Sequence, residues 1–234
     1  MLRSLDFAAL QQEFRSAKPF PHIVLDDFLA PERAAAVRDA FPAHAAAAAV
    51  GDSFETEFEH LKVQVTKRDL FPPPIRELHE FLASAEFLAD LSKLTGIPRL
   101  LADPELHGGG IHTTDSGGKL DVHIDFNYVP SHGWWRRLNL LIFLNDDWQE
   151  DWGGLLELWD PEVERCEKAL VPTMNRCAIF ETSQTSWHGV TAVTSPSGIA
   201  RKSISAYYYT RVPPPDFDDD FHGTVFRKRP SERG

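Results

Sequence analysis

The sequence predicts an α+β, mainly β fold, in which a double-stranded β-helix (jelly-roll) core is buttressed by amino-terminal helices. Three observations predict it. Apolar residues recur at helical spacing only before about residue 99. From Leu100 onward the chain turns to short apolar or alternating runs separated by Gly, Pro, Asn and Asp clusters. Eight such runs follow one another, enough for two packed antiparallel sheets.

In chain order, Leu5 to Ala17 carries apolar residues at helical spacing, and PHIVLDDFL from Pro21 reads as a short strand and turn. Pro31 to Phe41 begins with a proline suited to a first helical turn. The alanine run from Ala43 has high helix propensity but no apolar face to bury, and is expected to be a mobile segment beside the site. Helices are expected at Ile75 to Ala83, after the FPPP breaker, and at Ala85 to Thr95. The expected strands are Leu106 to His112, Leu120 to Asp125, Arg137 to Leu144, Leu155 to Trp159, Ala169 to Val171, Cys177 to Glu181, Gly189 to Ala192 and Lys202 to Arg211. One domain over 1–211 is predicted, with a helical flank to about 99 and the jelly-roll core over about 100–211. Residues 212–234, with a proline triplet, an acidic FDDDF run and a basic end, read as a partly ordered carboxy-terminal tail.

Composition narrows the function. With 42% hydrophobic and 25% charged residues the chain has an ordinary globular make-up. Its net charge of -11 disfavours nucleic acid, whose affinity comes from basic side chains on phosphates. No apolar leader or run of about 20 apolar residues stands out, so no membrane partner is expected and a cytoplasmic location is the reading. The two cysteines, Cys166 and Cys177, give no reason to invoke disulfides. No heptad pattern bears on the oligomeric state.

The chemistry begins in LDVHIDFN. His123 and Asp125 are two apart on a strand, leave the same face and can converge on one ion. His188 in TSWHGV, at the start of a later strand, can be presented beside them as a third ligand. Two imidazoles and a carboxylate on one face of an octahedron leave room for a bidentate co-substrate and O2, as non-haem Fe(II) oxygenases require. A chance His-x-Asp with a capping or core His188 is the competing reading of the triplet. Arg201, in ARKSISAYYYT, shares a polar strand face with Ser203 and Ser205, and a guanidinium fork with a nearby hydroxyl suits a buried carboxylate. A solvent-facing arginine on a barrel edge is the alternative there. The glycine-rich turns at 108–110 and 117–118 lack the features of a phosphate loop. The acidic NDDWQEDWGG reads as a solvated hairpin.

The ordered set His-x-Asp, distal His and Arg-x-Ser resembles the 2-oxoglutarate and Fe(II)-dependent dioxygenase superfamily. RRLNLLIFLNDDW followed by WGGLLELW, and PFPHIVLDDFLAPERAAAV near the start, resemble its prolyl-4-hydroxylase-like branch. The resemblance spans roughly residues 19 to 211. It implies Fe(II) on His123, Asp125 and His188, which are thereby the catalytic residues, and the far carboxylate of 2-oxoglutarate on Arg201 and Ser203. Asn139, inward by the same alternation as Leu141 and Phe143, and Thr113 with His112 upstream, are further candidates for the co-substrate pocket. Where hypoxia-factor-type prolyl hydroxylases carry a tyrosine that helps hold that carboxylate, this chain has Phe143, and Ser203 is the expected substitute. Trp134, Trp135 and Trp187 could shape the substrate mouth or simply pack.

The implied activity is hydroxylation of an aliphatic C–H with O2 and 2-oxoglutarate, releasing succinate and CO2. A prolyl or other peptidyl residue is the first expectation for the substrate. A free small molecule, such as an amino acid or biosynthetic intermediate, is the alternative, and a non-catalytic cupin-like metal-binding module stands as a third reading. A groove-like mouth favours peptide, a closed pocket a small molecule.

Overall fold

The computed structural model describes residues 1–215, 217 and 220–233. The elements in order are α1 (Gln11–Ser16), β1 (His22–Leu25), α2 (Pro31–Asp39), α3 (His44–Ala48), β2 (Asp52–Phe54), β3 (Glu59–Val65), α4 (Pro73–Leu82) and α5 (Ala85–Thr95). There follow β4 (Leu101–Ala102), β5 (Gly110–Ile124), β6 (Tyr128–Val129), β7 (Trp134–Phe143), β8 (Leu156–Trp159), β9 (Cys166–Leu170), β10 (Cys177–Glu181), β11 (His188–Val190), β12 (Arg201–Thr210) and β13 (Val225–Phe226). Among the described residues, the thirteen strands form one antiparallel network, ordered β1-β10-β7-β12-β5-β11-β8-β9 along its main path.

The helices cover one face of this sheet because their apolar residues recur at the spacing that makes a stripe. In α5 the Ser84 side chain accepts from Phe87 N at the amino end, Gly96 ends the helix at φ 74°, and Phe87, Leu91 and Leu94 face inward. In α4, introduced by proline at its first turn, Ile75, Leu78 and Leu82 are fully buried. They pack with Leu138, Leu140 and Ile142 of β7 and with Ile204 and Tyr208 of β12 in one apolar core. Truncating Leu78 there would cost about 2–5 kcal/mol. The alternation that sends these residues outward sends Asn139, Leu141 and Phe143 into the barrel.

Two expectations need correction. The flank before residue 99 is not wholly helical: Asp52–Phe54 and Glu59–Val65 form a hairpin, and β3 pairs with β5. HLKVQV alternates polar and apolar residues with the period of a strand, and its last four residues are all buried because Lys62 and Gln64 line the cavity while Val63 and Val65 join the core. The alanine run, expected as mobile, is the short helix α3. Ala47 is fully buried in the main core, and the small side chains let α3 lie close to β3 and β5.

The runs predicted as separate strands at 106–112 and 120–125 are one 15-residue strand, β5. It bends at Gly117, which sits at φ 91°, and at Gly118, where a Cβ would lie 2.7 Å from the His60 carbonyl oxygen. Opposite the bend, β3 loses register between His60 and Lys62. The first half of β5 pairs with β12 and its second half with β11, so the strand crosses the corner between two sheets. No helix among the described residues is long and apolar enough to cross a membrane.

The carboxy-terminal segment returns to the core rather than standing off as an arm. β13 pairs with the end of β5, Val225 opposite Ile124 and Phe226 opposite His123. Beyond it Arg229 enters a buried acidic cluster, with Nε donating to Glu157 Oε2 at 2.8 Å and Nη1 lying 3.4 Å from Asp121 Oδ1. The acidic run at 216–220 lies partly outside the described residues.

Candidate metal and co-substrate site

The bend in β5 and the start of β11 bring His123 and His188 into direct cross-strand register. Their ring centroids are 4.3 Å apart. Asp125, just past the end of β5, closes the cluster: Oδ1 is 3.7 Å from His123 Nε2 and Oδ2 is 3.5 Å from His188 Nε2. One ligand atom from each of the three lies within 4.8 Å of the others.

Backbone carbonyls set the imidazole tautomers. His123 Nδ1 lies 2.9 Å from Asp121 O, and His188 Nδ1 lies 2.9 Å from Ser186 O. A carbonyl only accepts, so each Nδ1 carries the proton and each Nε2 presents its lone pair towards Asp125. Burial and the neighbouring His188 push His123 down to about 3, and burial lowers His188. Burial acts to raise Asp125, but Arg136, His188, His123 and the Asn139 amide hold it below the usual carboxylate range. Two neutral imidazoles and one carboxylate, with donor atoms converging, are the donor set that Fe(II) takes in such sites.

A second layer fixes the carboxylate. Asn139 Nδ2 donates to Asp125 Oδ2 at 2.7 Å, while Asn139 Oδ1 accepts from Arg136 Nε at 3.0 Å and from Nη2 at 2.8 Å. Arg136 Nη2 also lies 3.2 Å from Asp125 Oδ2, and its guanidinium sits 3.6 Å over the Tyr207 ring. Asn139 therefore lines the cavity as expected, but both ends of its amide are engaged in orienting Asp125.

Further in, Arg201 and Ser203 line the same cavity, of about 270 Å³. Arg201 Nε donates to Gly154 O at 2.7 Å, and its carbon Cζ is 5.0 Å from the Phe143 ring. Arg201 Nη2 and Ser203 Oγ are buried and have no partner in the protein. Burial alone lowers Arg201 to about 10, so it stays charged at neutral pH. A buried cation without a counter-ion is costly, and a ligand carboxylate is what would relieve it. Ser203 is paired across the sheet with Phe143, so its hydroxyl stands beside the position of the absent tyrosine.

Thr113 is not in the cavity. It is buried on the opposite side of β5, where its Oγ1 lies 3.3 Å from His44 Nδ1, and its neighbours His112 and Thr114 line the cavity instead. Strict alternation back from His123 would put Thr113 inward, but the bend at Gly117–Gly118 and a register shift opposite residues 120–123 reset it. His112 sits with Nε2 2.9 Å from Gly108 O and Nδ1 3.3 Å from Ser205 Oγ, and burial pushes it down to about 3.

Several wall residues escape sequence reasoning. Arg136 and Asn139 both face inward although odd spacing forbids it on a regular strand, because the register with β12 shifts between Tyr208 and Tyr209. Lys62 and Gln64 come from the unforeseen β3, and Thr224 and Phe226 from the tail. Phe226 lies 5.5 Å from the His123 ring and stacks on Phe58 at 4.4 Å. The one available signal was the doubled arginine in WWRRLN, a charged pair inside an apolar strand.

A double-sheet β fold holding two imidazoles, a carboxylate and a buried arginine whose Nη2 has no partner has the donor set of a mononuclear non-haem Fe(II) site. Residues 109–209 match the model of the 2OG-Fe(II) oxygenase superfamily. Over 78 residues, 32% of this chain, the sequence is 35% identical to mouse prolyl 3-hydroxylase OGFOD1, but the matched stretch is only 14% of that protein. The fold is similar to a Trichoplax adhaerens prolyl hydroxylase solved with a hypoxia-inducible-factor peptide fragment, at TM-score 0.60 and 16% identity, covering 86% of this chain and 88% of that one. It is also similar to HygX from Streptomyces hygroscopicus, solved with nickel, 2-oxoglutarate and hygromycin B, at TM-score 0.54 and 11% identity, covering 88% and 87%. At such identities the likeness is one of fold, shared by proteins solved with a peptide and with a small molecule.

Proposed function

We propose that this protein is a 2-oxoglutarate-dependent Fe(II) dioxygenase that hydroxylates an aliphatic C–H of a peptidyl residue, prolyl in the first instance. The balance is 2-oxoglutarate, O2 and R–H giving succinate, CO2 and R–OH. The observation that carries the reading is the pair of unpartnered buried groups, Arg201 Nη2 and Ser203 Oγ, in the cavity that holds the three convergent ligands. A cupin-like module without oxidative activity would have no use for that buried cation.

In this reading His123, Asp125 and His188 hold the iron, which when bound couples decarboxylation of 2-oxoglutarate to oxidation of the substrate. Arg201 and Ser203 bind the far carboxylate and so fix the co-substrate's direction. Asn139 and Arg136 keep Asp125 ionised and turned towards the imidazoles. Phe226 and Phe58 exclude water from one side of the site.

Peptide is favoured over a free small molecule by what lies outside the metal cavity. Asp125, Phe126 and Arg136 form a wall shared with a second, outward-facing cavity of about 460 Å³. The metal chamber is small and the adjoining space is larger, giving room for the residues that flank a target in an extended chain.

The test is succinate release from 2-oxoglutarate under air, with and without Fe(II), together with calorimetric titration of 2-oxoglutarate. Iron-dependent succinate that disappears in Asp125→Ala, a loss of at least about 100-fold, is the expected result. The absence of both succinate release and 2-oxoglutarate binding would refute the reading.

A further inference from the structure

We propose that an arginine-lined cavity at the rim of the barrel docks an acidic segment of the peptide substrate; the proposal rests on the oxygenase reading only for the purpose of the docking. The cavity, about 840 Å³, is larger than the metal chamber and lies outside it. It adjoins the 460 Å³ space that reaches Asp125, for the two share Pro21, Glu181 and Pro215 as walls. A chain leaving the metal site through the first space would pass Glu181 and enter the second.

The lining is unlike the rest of the protein. In a chain of net charge -11, the described residues that line this cavity include Arg15, Arg99, Arg137 and Arg211 against one carboxylate, Glu181. Arg15, Arg99 and Arg211 are exposed and make no ion pair with a described acidic residue. Arg137 is buried: Nη2 donates to Glu181 Oε1 at 3.2 Å, but Nε has no partner. The register shift in β7 that turns Arg136 into the metal site leaves Arg137 on this outer side. One strand irregularity thus serves both the reacting centre and the cationic cavity.

The chemistry that matches four guanidinium groups is carboxylate, which each can grip through two parallel N–H donors. A polyanion such as nucleic acid fits poorly, because the molecule's overall charge repels it beyond the roughly 8–10 Å over which salt leaves local charge visible. A short acidic peptide meets the arginines at contact range and the overall charge only weakly. The prolines at 19, 21 and 213–215 give the path rigid walls, so little of the protein needs ordering when a chain lies along it.

The experiment uses fluorescein-labelled decapeptides of alternating Glu and Pro, the matching Gln and Pro peptide, and a labelled ten-nucleotide oligothymidylate. Each is titrated by anisotropy against the full chain without Fe(II) or 2-oxoglutarate, so a failure here leaves the oxygenase reading untouched. The Glu-Pro peptide is expected to bind, to weaken with added salt, and to weaken roughly tenfold in the double variant Arg99→Gln, Arg211→Gln. The Gln-Pro peptide is expected not to bind. A circular dichroism melt matching the parent's shows that the variant is folded. Equal binding of the two peptides, no binding of either, an unchanged Kd in the folded variant, or preferential binding of the oligonucleotide would each overturn the proposal.

Discussion

At the scale of single residues, the site is organised around one carboxylate that has more partners than a metal ligand strictly needs. Asp125 faces two imidazoles on one side and the Asn139–Arg136 pair on the other. Asn139→Ala removes the donor that turns it, and metal affinity should fall about 10- to 100-fold with little change in Tm of the metal-free protein. Titration with Mn(II) followed by calorimetry reads this directly, and an unchanged affinity would make the pair merely structural. Arg201→Ala should raise the concentration of 2-oxoglutarate needed for half-maximal succinate release by at least about tenfold, since a desolvated charged pair is worth a few kcal/mol. An unchanged requirement would move the carboxylate site elsewhere. The convergence of the triad and the inward facing of Arg201 were legible in the sequence because a two-residue spacing and a polar strand face survive local irregularity. Arg136 and Thr113 were not, since their facing depends on shifts of register that no spacing announces.

At the scale of elements, β5 and the tail carry most of what alternation could not foresee. A strand that bends at two glycines serves two sheets with one run of residues, which reads in sequence as two strands and a turn. The β2–β3 hairpin was announced only by the short polar–apolar alternation of HLKVQV. The tail was hidden because its anchor is electrostatic rather than apolar. Arg229→Ala would leave Asp121 and Glu157, both buried, without their shared cation, and should lower stability by about 3 kcal/mol. Urea unfolding monitored at two wavelengths tests it. If β13 detaches first, fluorescence from the tryptophan-rich core will lag proteolysis of the carboxy terminus.

For the molecule as a whole, the cost of the site appears in its dependence on pH. His112 and His123 are pushed to about 3 when folded, against an ordinary value of 6.5. Between those limits the unfolded chain binds protons that the folded one refuses, so stability rises with pH across the window and is lost on acidification. The urea midpoint of the metal-free protein should therefore fall steadily from pH 7 to pH 4, with Asp125 adding a loss only below the usual carboxylate range. A flat profile would mean that the buried imidazoles are hydrated. The jelly roll and most of its helical buttress were legible from periodicity, because the helices and strands bury one face against a common core. The cationic rim was not, because its arginines are scattered from residue 15 to residue 211 and only the fold collects them.

The return of the tail to His123 has a practical consequence for anyone who trims this chain. The stretch matching the family ends at residue 209, and a cut there would keep all three ligands, Arg201 and Ser203. It would also remove Phe226 from the iron side of the barrel and Arg229 from beneath it, so the minimal homologous unit and the minimal working unit are different lengths.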